Sequence, residues 1–194
     1  MLINETLEKV NKWRCLGSGE QCYAIMYAIT RAFQVKKILE IGTHQGASAI
    51  TFCQAILDNK DIPELWTVDS WIGFEGNEAS YNLKSKAEEH FKLAGFNKYI
   101  NMIEGDSKII VPDLIKKIGR VDMCFIDGDH TYEAVIEDYN NCKNHTDLIL
   151  FHDSPSENVR YLREAKEEGW NILSFPTRYV EGDRHLVGIT LAKK

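Results

Sequence analysis

The strongest constraint on the fold is an alternation along the chain between short apolar runs and longer amphipathic stretches. Apolar runs of about six residues suit strands that are buried on both faces of a parallel sheet. The runs predicted to be strands are 37–41, 65–69, 99–103, 121–126, 147–151, 170–175 and 185–191. The segments predicted to be helices are 5–13, 20–33, 46–57, 82–93, 108–118, 132–142 and 156–168.

The order of these elements predicts the class of the fold. Strands that alternate with helices form βαβ units with right-handed crossovers. A loop without a helix, residues 176–184, joins the last two predicted strands and favours an antiparallel hairpin. We therefore expect a three-layer α/β/α fold with a seven-stranded, mostly parallel sheet and an antiparallel last strand. The 194 residues fit a single domain, with a helical segment over 1–35 in front of a core over 36–194.

Composition excludes several classes of protein. The net charge is −6, from 23 Lys and Arg against 29 Asp and Glu, whereas proteins that grip nucleic-acid phosphates usually carry a basic excess. No apolar stretch approaches the ~18 residues of a membrane span, and the N-terminus lacks a secretory pattern. The five cysteines are dispersed without a CxxC pair, which is typical of reduced, buried thiols. We expect a cytoplasmic protein with no membrane partner and no nucleic-acid partner.

The turn after the first predicted strand has the composition of a ligand-binding turn. Ligands of such sheets bind beyond the C-terminal ends of the strands. Gly42 permits a tight turn and Gly46 lets the next helix begin close to the sheet, with its free N–H groups exposed. His44 stands where a dinucleotide fingerprint has its second glycine, which argues against a pyrophosphate site. An ordinary strand-to-helix turn is the alternative.

Polar residues also follow the second and third predicted strands. Asp69 ends the second strand, where its carboxylate can accept both hydroxyls of a ribose or cap the following turn. Trp71, two residues later, can stack on a ligand or pack against the protein. Asp106 and Ser107 can cap the next helix and can also hold an adenine amino group.

The densest chemistry follows the fourth and fifth predicted strands. Asp127 and Asp129 are oxygen ligands suited to Mg²⁺, and His130 can take a proton near neutral pH. Because neighbouring strands lie about 4.8 Å apart, Asp127 and Asp153 can converge on one cation if these two strands pair. The role of His152 stays open between a metal ligand, a supporting group and a residue of the sheet edge.

These motifs resemble class I S-adenosylmethionine-dependent methyltransferases. The landmarks, in order, are EIGTHQGAS, TVDSW, EGDS, FIDGDHTYE and LILFHD, within residues 36–194. The chain looks most similar to metal-dependent O-methyltransferases of the macrocin type, which act on sugars, a subgroup that also contains cephalosporin-hydroxylase-like proteins. The resemblance implies a Rossmann-like methyltransferase fold, S-adenosylmethionine as cofactor and a divalent cation, with Mg²⁺ the expected ion.

The resemblance also implies roles for individual residues. Glu40, Gly42 and Gly46 would line the methionine part of the cofactor, Asp69 would hold the ribose, and Asp106 with Ser107 would contact the adenine. The full set predicted to bind the cofactor is Glu40, Gly42, Thr43, His44, Gly46, Ser48, Asp69, Ser70, Trp71, Asp106, Ser107 and Asp127. The predicted catalytic residues are His130, as general base, and Asp127. The predicted metal ligands are Asp127, His152 and Asp153, although related sites often carry another acid in place of His152.

The function expected from these residues is O-methylation of a hydroxyl on a sugar or another small molecule. The loops 71–81 and 176–184 are candidates for the substrate pocket, the second because of Arg178, Tyr179 and Arg184. The N-terminal helices can cover the active site or form a homo-oligomer. The alternatives are a metal-independent methyltransferase, a protein of the same fold with another reaction, and a non-catalytic module that binds the cofactor.

Overall fold

The computed structural model describes residues 20–72, 82–154, 159–180 and 185–194. The strands are β1 (Lys37–Ile41), β2 (Glu64–Asp69), β3 (Ile100–Glu104), β4 (Met123–Ile126), β5 (Leu148–His152), β6 (Asn171–Val180) and β7 (His185–Lys193). The helices are α1 (Glu20–Ala32), α2 (Ala47–Asp58), α3 (Leu83–Ala94), α4 (Ser107–Ile118), α5 (Tyr132–Cys142) and α6 (Arg160–Glu167). Within these ranges no helix is both long enough and apolar enough to cross a membrane.

The strands form one sheet in the order β3-β2-β1-β4-β5-β7-β6. β1 to β5 pair in parallel, whereas β7 runs antiparallel to both β5 and β6. The predicted seven-stranded sheet with an antiparallel last strand is confirmed. Since β1 lies between β2 and β4, the chain reverses its direction of travel across the sheet beside β1, where ligands of doubly wound sheets bind.

Helices cover both faces of the sheet, which explains the apolar character of the central strands. On one face, Met26 of α1, Phe52 of α2 and Phe91 of α3 belong to one buried cluster. On the other face, Leu114 of α4 and Tyr139 of α5 belong to a second cluster. Four buried cysteines of the described residues form no disulfide, as predicted: Cys22, Cys53, Cys124 and Cys142.

Some predicted boundaries are wrong. The segment 176–180, predicted as a loop, continues β6 as far as Val180, with an irregularity in the pairing between Pro176 and Arg178. Proline did not end the strand because β6 lies at the edge of the sheet, where a missing N–H donor is tolerated. The helix predicted over 156–168 is observed as Arg160–Glu167. The helix predicted over 5–13 and most of the 71–81 loop lie outside the described residues.

Candidate active site

The turn after β1 packs directly against the start of the loop after β4. Gly42 has a φ angle of +94°, and a Cβ atom there would lie 2.0 Å from the carbonyl oxygen of Asp127. The Asp127 N–H donates to the Ile41 carbonyl at 2.8 Å, which ties the two strand ends together. Glycine is therefore required at position 42, and the predicted cofactor turn adjoins the predicted catalytic loop.

Asp69 holds this turn in place through backbone hydrogen bonds. Its Oδ2 accepts the N–H groups of Thr43 and His44 at 2.8 and 2.7 Å, and its Oδ1 accepts that of Trp71 at 2.7 Å. A carboxylate has about four acceptor positions in total. Counting the described residues, Asp69 therefore has room for one further hydrogen bond, on Oδ1, while the turn keeps this conformation. Its predicted role with ribose stays a prediction.

Glu40 lies below the turn in a chain of hydroxyl groups. The Ser48 hydroxyl donates to Oε1 and the Thr67 hydroxyl to Oε2, both at 2.5 Å, and Glu40 itself is fully buried. Because the single proton of Thr67 goes to Glu40, the Thr43 hydroxyl must donate to Thr67. Burial raises the pKa of Glu40 to about 8, although the two hydroxyl donors oppose the rise. The Glu40 carboxyl group and the Ser48 hydroxyl are thus hydrogen-bonded to each other. The Thr43 hydroxyl, through Thr67, links this pair to the turn after β1.

Trp71 packs against the turn from the β2 side. Its indole Nε1–H donates to the His44 carbonyl at 3.0 Å, and the Lys84 ammonium lies 5.8 Å from the centre of a Trp71 ring. The structure thus shows the packing role, while stacking on a ligand stays a prediction. Burial lowers the pKa of His44, against the raising effect of Asp69. Ser70 is half-buried between Asp69 and Trp71.

The residues after β3 cap the next helix. The Asp106 side chain accepts the N–H of Lys108 at 3.0 Å, as predicted for an N-cap residue. Ser107 begins α4 and is hydrogen-bonded to the buried Asp138 of α5. Their predicted contact with adenine is compatible with this cap and stays a prediction.

The loops after β4 and β5 bring together two aspartates and two histidines. Because β4 and β5 pair in parallel, Asp127 and Asp153 lie at the same edge of the sheet. His152 Nδ1 lies 2.9 Å from Asp127 Oδ1 and 3.3 Å from Asp153 Oδ1. One ligand atom from each of Asp127, His130 and His152 lies within 4.8 Å of the others. Asp129 is used differently, since its side chain accepts the Thr131 N–H at 2.8 Å.

The charges of this cluster compensate one another. Burial disfavours the charged form of His152, but the charge of Asp127 and the hydrogen bonds that His152 donates to both aspartates outweigh it and raise the pKa to about 12. Burial likewise opposes ionisation of Asp127, but the two histidines lower its pKa. The hydrogen bond to Asp127 raises the pKa of His130. The two carboxylates therefore make a site that attracts positive charge.

The two histidines have different surroundings. The His152 side chain is 4% exposed, packs edge-on against the Phe125 ring at 6.3 Å, and is hydrogen-bonded to Cys22 of α1. The His130 side chain is 54% exposed at the mouth of the crevice. Its Nε2 lies 3.4 Å from Asp127 Oδ1 and its Nδ1 lies 3.5 Å from Asp153 Oδ2. His152 is thus held rigidly, and His130 stands where a substrate would enter.

A small cavity adjoins the cluster. Its volume is about 30 Å³, more than the ~10–15 Å³ that a cavity needs to hold one water. Asp127, His130, His152 and Asp153 all line it, together with Tyr161 of α6. Sequence analysis did not single out Tyr161 or Cys22. Both lie on apolar helix faces, and no sequence signal separates them from ordinary core residues.

A family comparison decides the identity of this fold. Residues 39–154, more than half of the chain, match a family model described as a methyltransferase domain. The chain belongs to this methyltransferase family. The match begins in β1 and ends just after Asp153, so it contains the turn and the Asp/His cluster but not α1.

Solved structures share the fold of this chain. An O-methyltransferase from Bacillus cereus in complex with S-adenosylhomocysteine superimposes with a TM-score of 0.69 and 15% identity, over 99% of this chain and 90% of the other. The O-methyltransferase TomG from Streptomyces achromogenes, involved in tomaymycin synthesis and solved with S-adenosylmethionine, gives 0.68 and 19% identity, over 98% and 88%. The predicted Rossmann-like methyltransferase fold is confirmed.

Curated relatives match over part of their length. An uncharacterised protein of Sinorhizobium fredii is 25% identical over 76% of this chain and 15% of its own length. An uncharacterised protein of Acanthamoeba polyphaga mimivirus is 35% identical over 53% of this chain and 42% of its own length. The chain thus spans less than half the length of these two relatives.

Proposed function

We propose that this methyltransferase transfers the methyl group of S-adenosylmethionine to a hydroxyl group of a small molecule, with the help of a divalent cation. The observation that carries the proposal is the contact between the turn after β1 and the loop that begins at Asp127. The contact supports the proposal because the turn that we propose to bind the cofactor adjoins a cluster of two carboxylates and two imidazoles. A sugar or another polyol is the proposed class of acceptor, because its hydroxyls suit such a site.

The residues proposed to bind the cofactor surround the turn. Polar groups lie beyond the ends of β1, β2 and β3. They are the N–H groups at the start of α2, the acceptor position of Asp69 that the described residues leave open, and the Asp106–Ser107 cap. Solved structures of the same fold hold S-adenosylmethionine or S-adenosylhomocysteine, which supports this cofactor. When bound, it supplies a methyl group that is electrophilic because it is attached to a sulfonium centre.

The Asp/His cluster fits a divalent cation. Two carboxylates and a buried imidazole supply the donor atoms, with His152 Nδ1 2.9 Å from Asp127 Oδ1 and 3.3 Å from Asp153 Oδ1, and the negative charge of the carboxylates supports the binding of a cation. We propose Asp127, His152 and Asp153 as the residues that hold the ion. When bound, a divalent ion supplies positive charge that lowers the pKa of a neighbouring hydroxyl.

His130 is proposed as the general base. It lies at the mouth of the crevice, within reach of an acceptor that enters there. Its pKa is raised by the neighbouring carboxylates, so it becomes a proton acceptor once a cation neutralises their charge. His130 would then take the proton of the acceptor hydroxyl while the acceptor oxygen receives the methyl group, and S-adenosylhomocysteine would be the leaving group.

The N-terminal region is proposed to border the site, since Cys22 of α1 contacts His152. Residues 1–35 would then form a helical cap over the crevice or the contact surface of a homo-oligomer. The four buried cysteines of the described residues that form no disulfide favour a reducing compartment, and we propose the cytoplasm.

Transfer of a labelled methyl group to a panel of sugars, polyols and phenols tests the proposal. We expect turnover on a hydroxylated acceptor that falls in the presence of EDTA and returns when a divalent cation is restored. The variant His130→Ala should lower kcat by about 100-fold or more, the usual range of a lost general base, without changing cofactor affinity. His145→Ala, which alters a histidine in the α5–β5 connection, is the matched control. Near-normal turnover of His130→Ala would exclude this base.

A further inference from the structure

We infer that the cation site prefers a divalent first-row transition ion, such as Co²⁺ or Zn²⁺, over Mg²⁺, and that His152 determines this preference. The inference rests on the proposed function only in taking the crevice between β4 and β5 as a cation site. It replaces the expectation of Mg²⁺ that the sequence motifs gave.

The spacing of the donor atoms already suits a bound ion. His152 Nδ1 lies between the carboxylates, 2.9 Å from Asp127 Oδ1 and 3.3 Å from Asp153 Oδ1. Ligand atoms held at ~2.0–2.1 Å from one ion lie roughly 2.8–3.0 Å apart in octahedral geometry and roughly 3.3–3.4 Å apart in tetrahedral geometry. The imidazole nitrogen therefore faces the place where the carboxylates would hold the ion.

The surroundings of His152 fix this nitrogen in place. The side chain is 4% exposed, the Phe125 ring packs against it, and Cys22 is hydrogen-bonded to it from α1. The ring cannot turn away and leave its position to a water molecule without disturbing this packing. An ion in this crevice therefore has an imidazole nitrogen as an obligatory neighbour.

The identity of that donor selects the ion. Mg²⁺ is a hard cation that prefers carboxylate, carbonyl and water oxygens, whereas imidazole suits Zn²⁺, Co²⁺ and Ni²⁺. One fixed nitrogen among three protein donors disfavours Mg²⁺ relative to these ions. The adjoining cavity of about 30 Å³ leaves room for one further small oxygen ligand.

His130 is not required for this preference. Its side chain is 54% exposed, and its two nitrogens face different carboxylates at 3.4 and 3.5 Å. One ring that bridges both carboxylates occupies the crevice mouth and can move into solvent when an ion enters. The roles of the two histidines should therefore separate in experiments.

Calorimetric titration of chelator-dialysed, untagged protein with Co²⁺ and, separately, Mg²⁺ tests the inference without any assay of activity. We expect Co²⁺ to bind at least ~100-fold more tightly than Mg²⁺. His152→Asn should bring the two affinities within about tenfold, mainly through weaker Co²⁺ binding. His130→Ala should keep the preference, and His145→Ala controls for adventitious binding to histidine.

The absorption spectrum of bound Co²⁺ gives an independent readout, because it responds to the number of nitrogen donors. We expect it to change in His152→Asn and not in His130→Ala. If His152→Asn does not fold, as judged by thermal unfolding, the wild-type preference and the His130→Ala spectrum still decide. The inference is overturned by Mg²⁺ affinity equal to that of Co²⁺, by a folded His152→Asn that keeps the full preference, by loss of the preference in His130→Ala, or by no binding of either ion.

These outcomes are distinct from those that test the proposed function. A protein that methylates acceptors but binds Mg²⁺ as well as Co²⁺ contradicts the inference alone. A protein that prefers Co²⁺ but methylates no hydroxylated acceptor contradicts the proposed function alone.

Discussion

Two buried carboxyl groups, Glu40 and Asp138, lie close to the candidate site, and their environments make the stability of the fold depend on pH. Burial raises the pKa of Glu40 to about 8 and that of Asp138 to about 6. Glu40 is bound by two hydroxyls, whereas Asp138 Oδ1 accepts no hydrogen bond from the described residues. In both cases the folded state holds the proton more tightly than the unfolded chain.

Replacing Glu40 or Asp138 by its amide should change the pH dependence of folding stability, each in a different pH range. A raised folded pKa gives stability that is present at low pH and is lost as pH rises through the folded value. Relative to wild type, Glu40→Gln should therefore gain stability steadily from about pH 5 to 8. Asp138→Asn should show its relative gain only up to about pH 6. Urea unfolding at several pH values measures both differences, and parallel curves for wild type and Glu40→Gln would contradict the account.

The identities of the site residues were predictable from sequence to different degrees. Asp127 and Asp153 could be placed together because each ends an apolar strand and parallel strands align their carboxyl ends. The contact between Cys22 and His152 could not, because it joins α1 to the end of β5, a distant part of the chain. The observed surroundings of Asp69 also differ from the predicted ones, since backbone N–H groups use most of its hydrogen-bond acceptor positions.

At the scale of the elements, the position of the start of α2 beside the site depends on a close contact with α3. Gly46 precedes α2 with a φ angle of +87°, and a Cβ atom there would lie 2.3 Å from Cε1 of Phe91. The close approach sets where the N–H groups at the start of α2 point. The sequence predicted this glycine as a helix start, but it did not reveal Phe91 as the neighbour, because that contact joins two helices.

Gly46→Ala should therefore lower the free energy of unfolding by more than the strain of a positive φ angle alone would. Gly95→Ala is the matched control, since Gly95 also has a positive φ, +77°, but its Cβ would meet nothing within 4 Å. We expect a destabilisation of about 1 kcal/mol for Gly95→Ala and about 2–4 kcal/mol for Gly46→Ala. Denaturant unfolding measures both, and Phe91→Leu should recover part of the Gly46→Ala loss. Equal costs for the two glycine variants would show that the contact with Phe91 is unimportant.

At the scale of the whole molecule, the sheet order places the predicted cofactor turn and the Asp/His cluster at one edge. β1 lies between β2 and β4, and β5 follows β4, so the ends of four adjacent strands form one crevice. The alternation of apolar runs predicted this sheet because both faces are covered by helices. The far end of β6 was not predictable, because an edge strand tolerates the proline that usually ends a strand.

The central claim is that this crevice binds S-adenosylmethionine, and calorimetric titration with that cofactor and, separately, with NAD⁺ tests it most directly. We predict S-adenosylmethionine binding with a Kd in the micromolar range, whether a divalent cation or EDTA is present, and no response to NAD⁺, because His44 replaces the second glycine of a dinucleotide turn. Failure to bind S-adenosylmethionine under either condition, or equal binding of NAD⁺, would contradict the account.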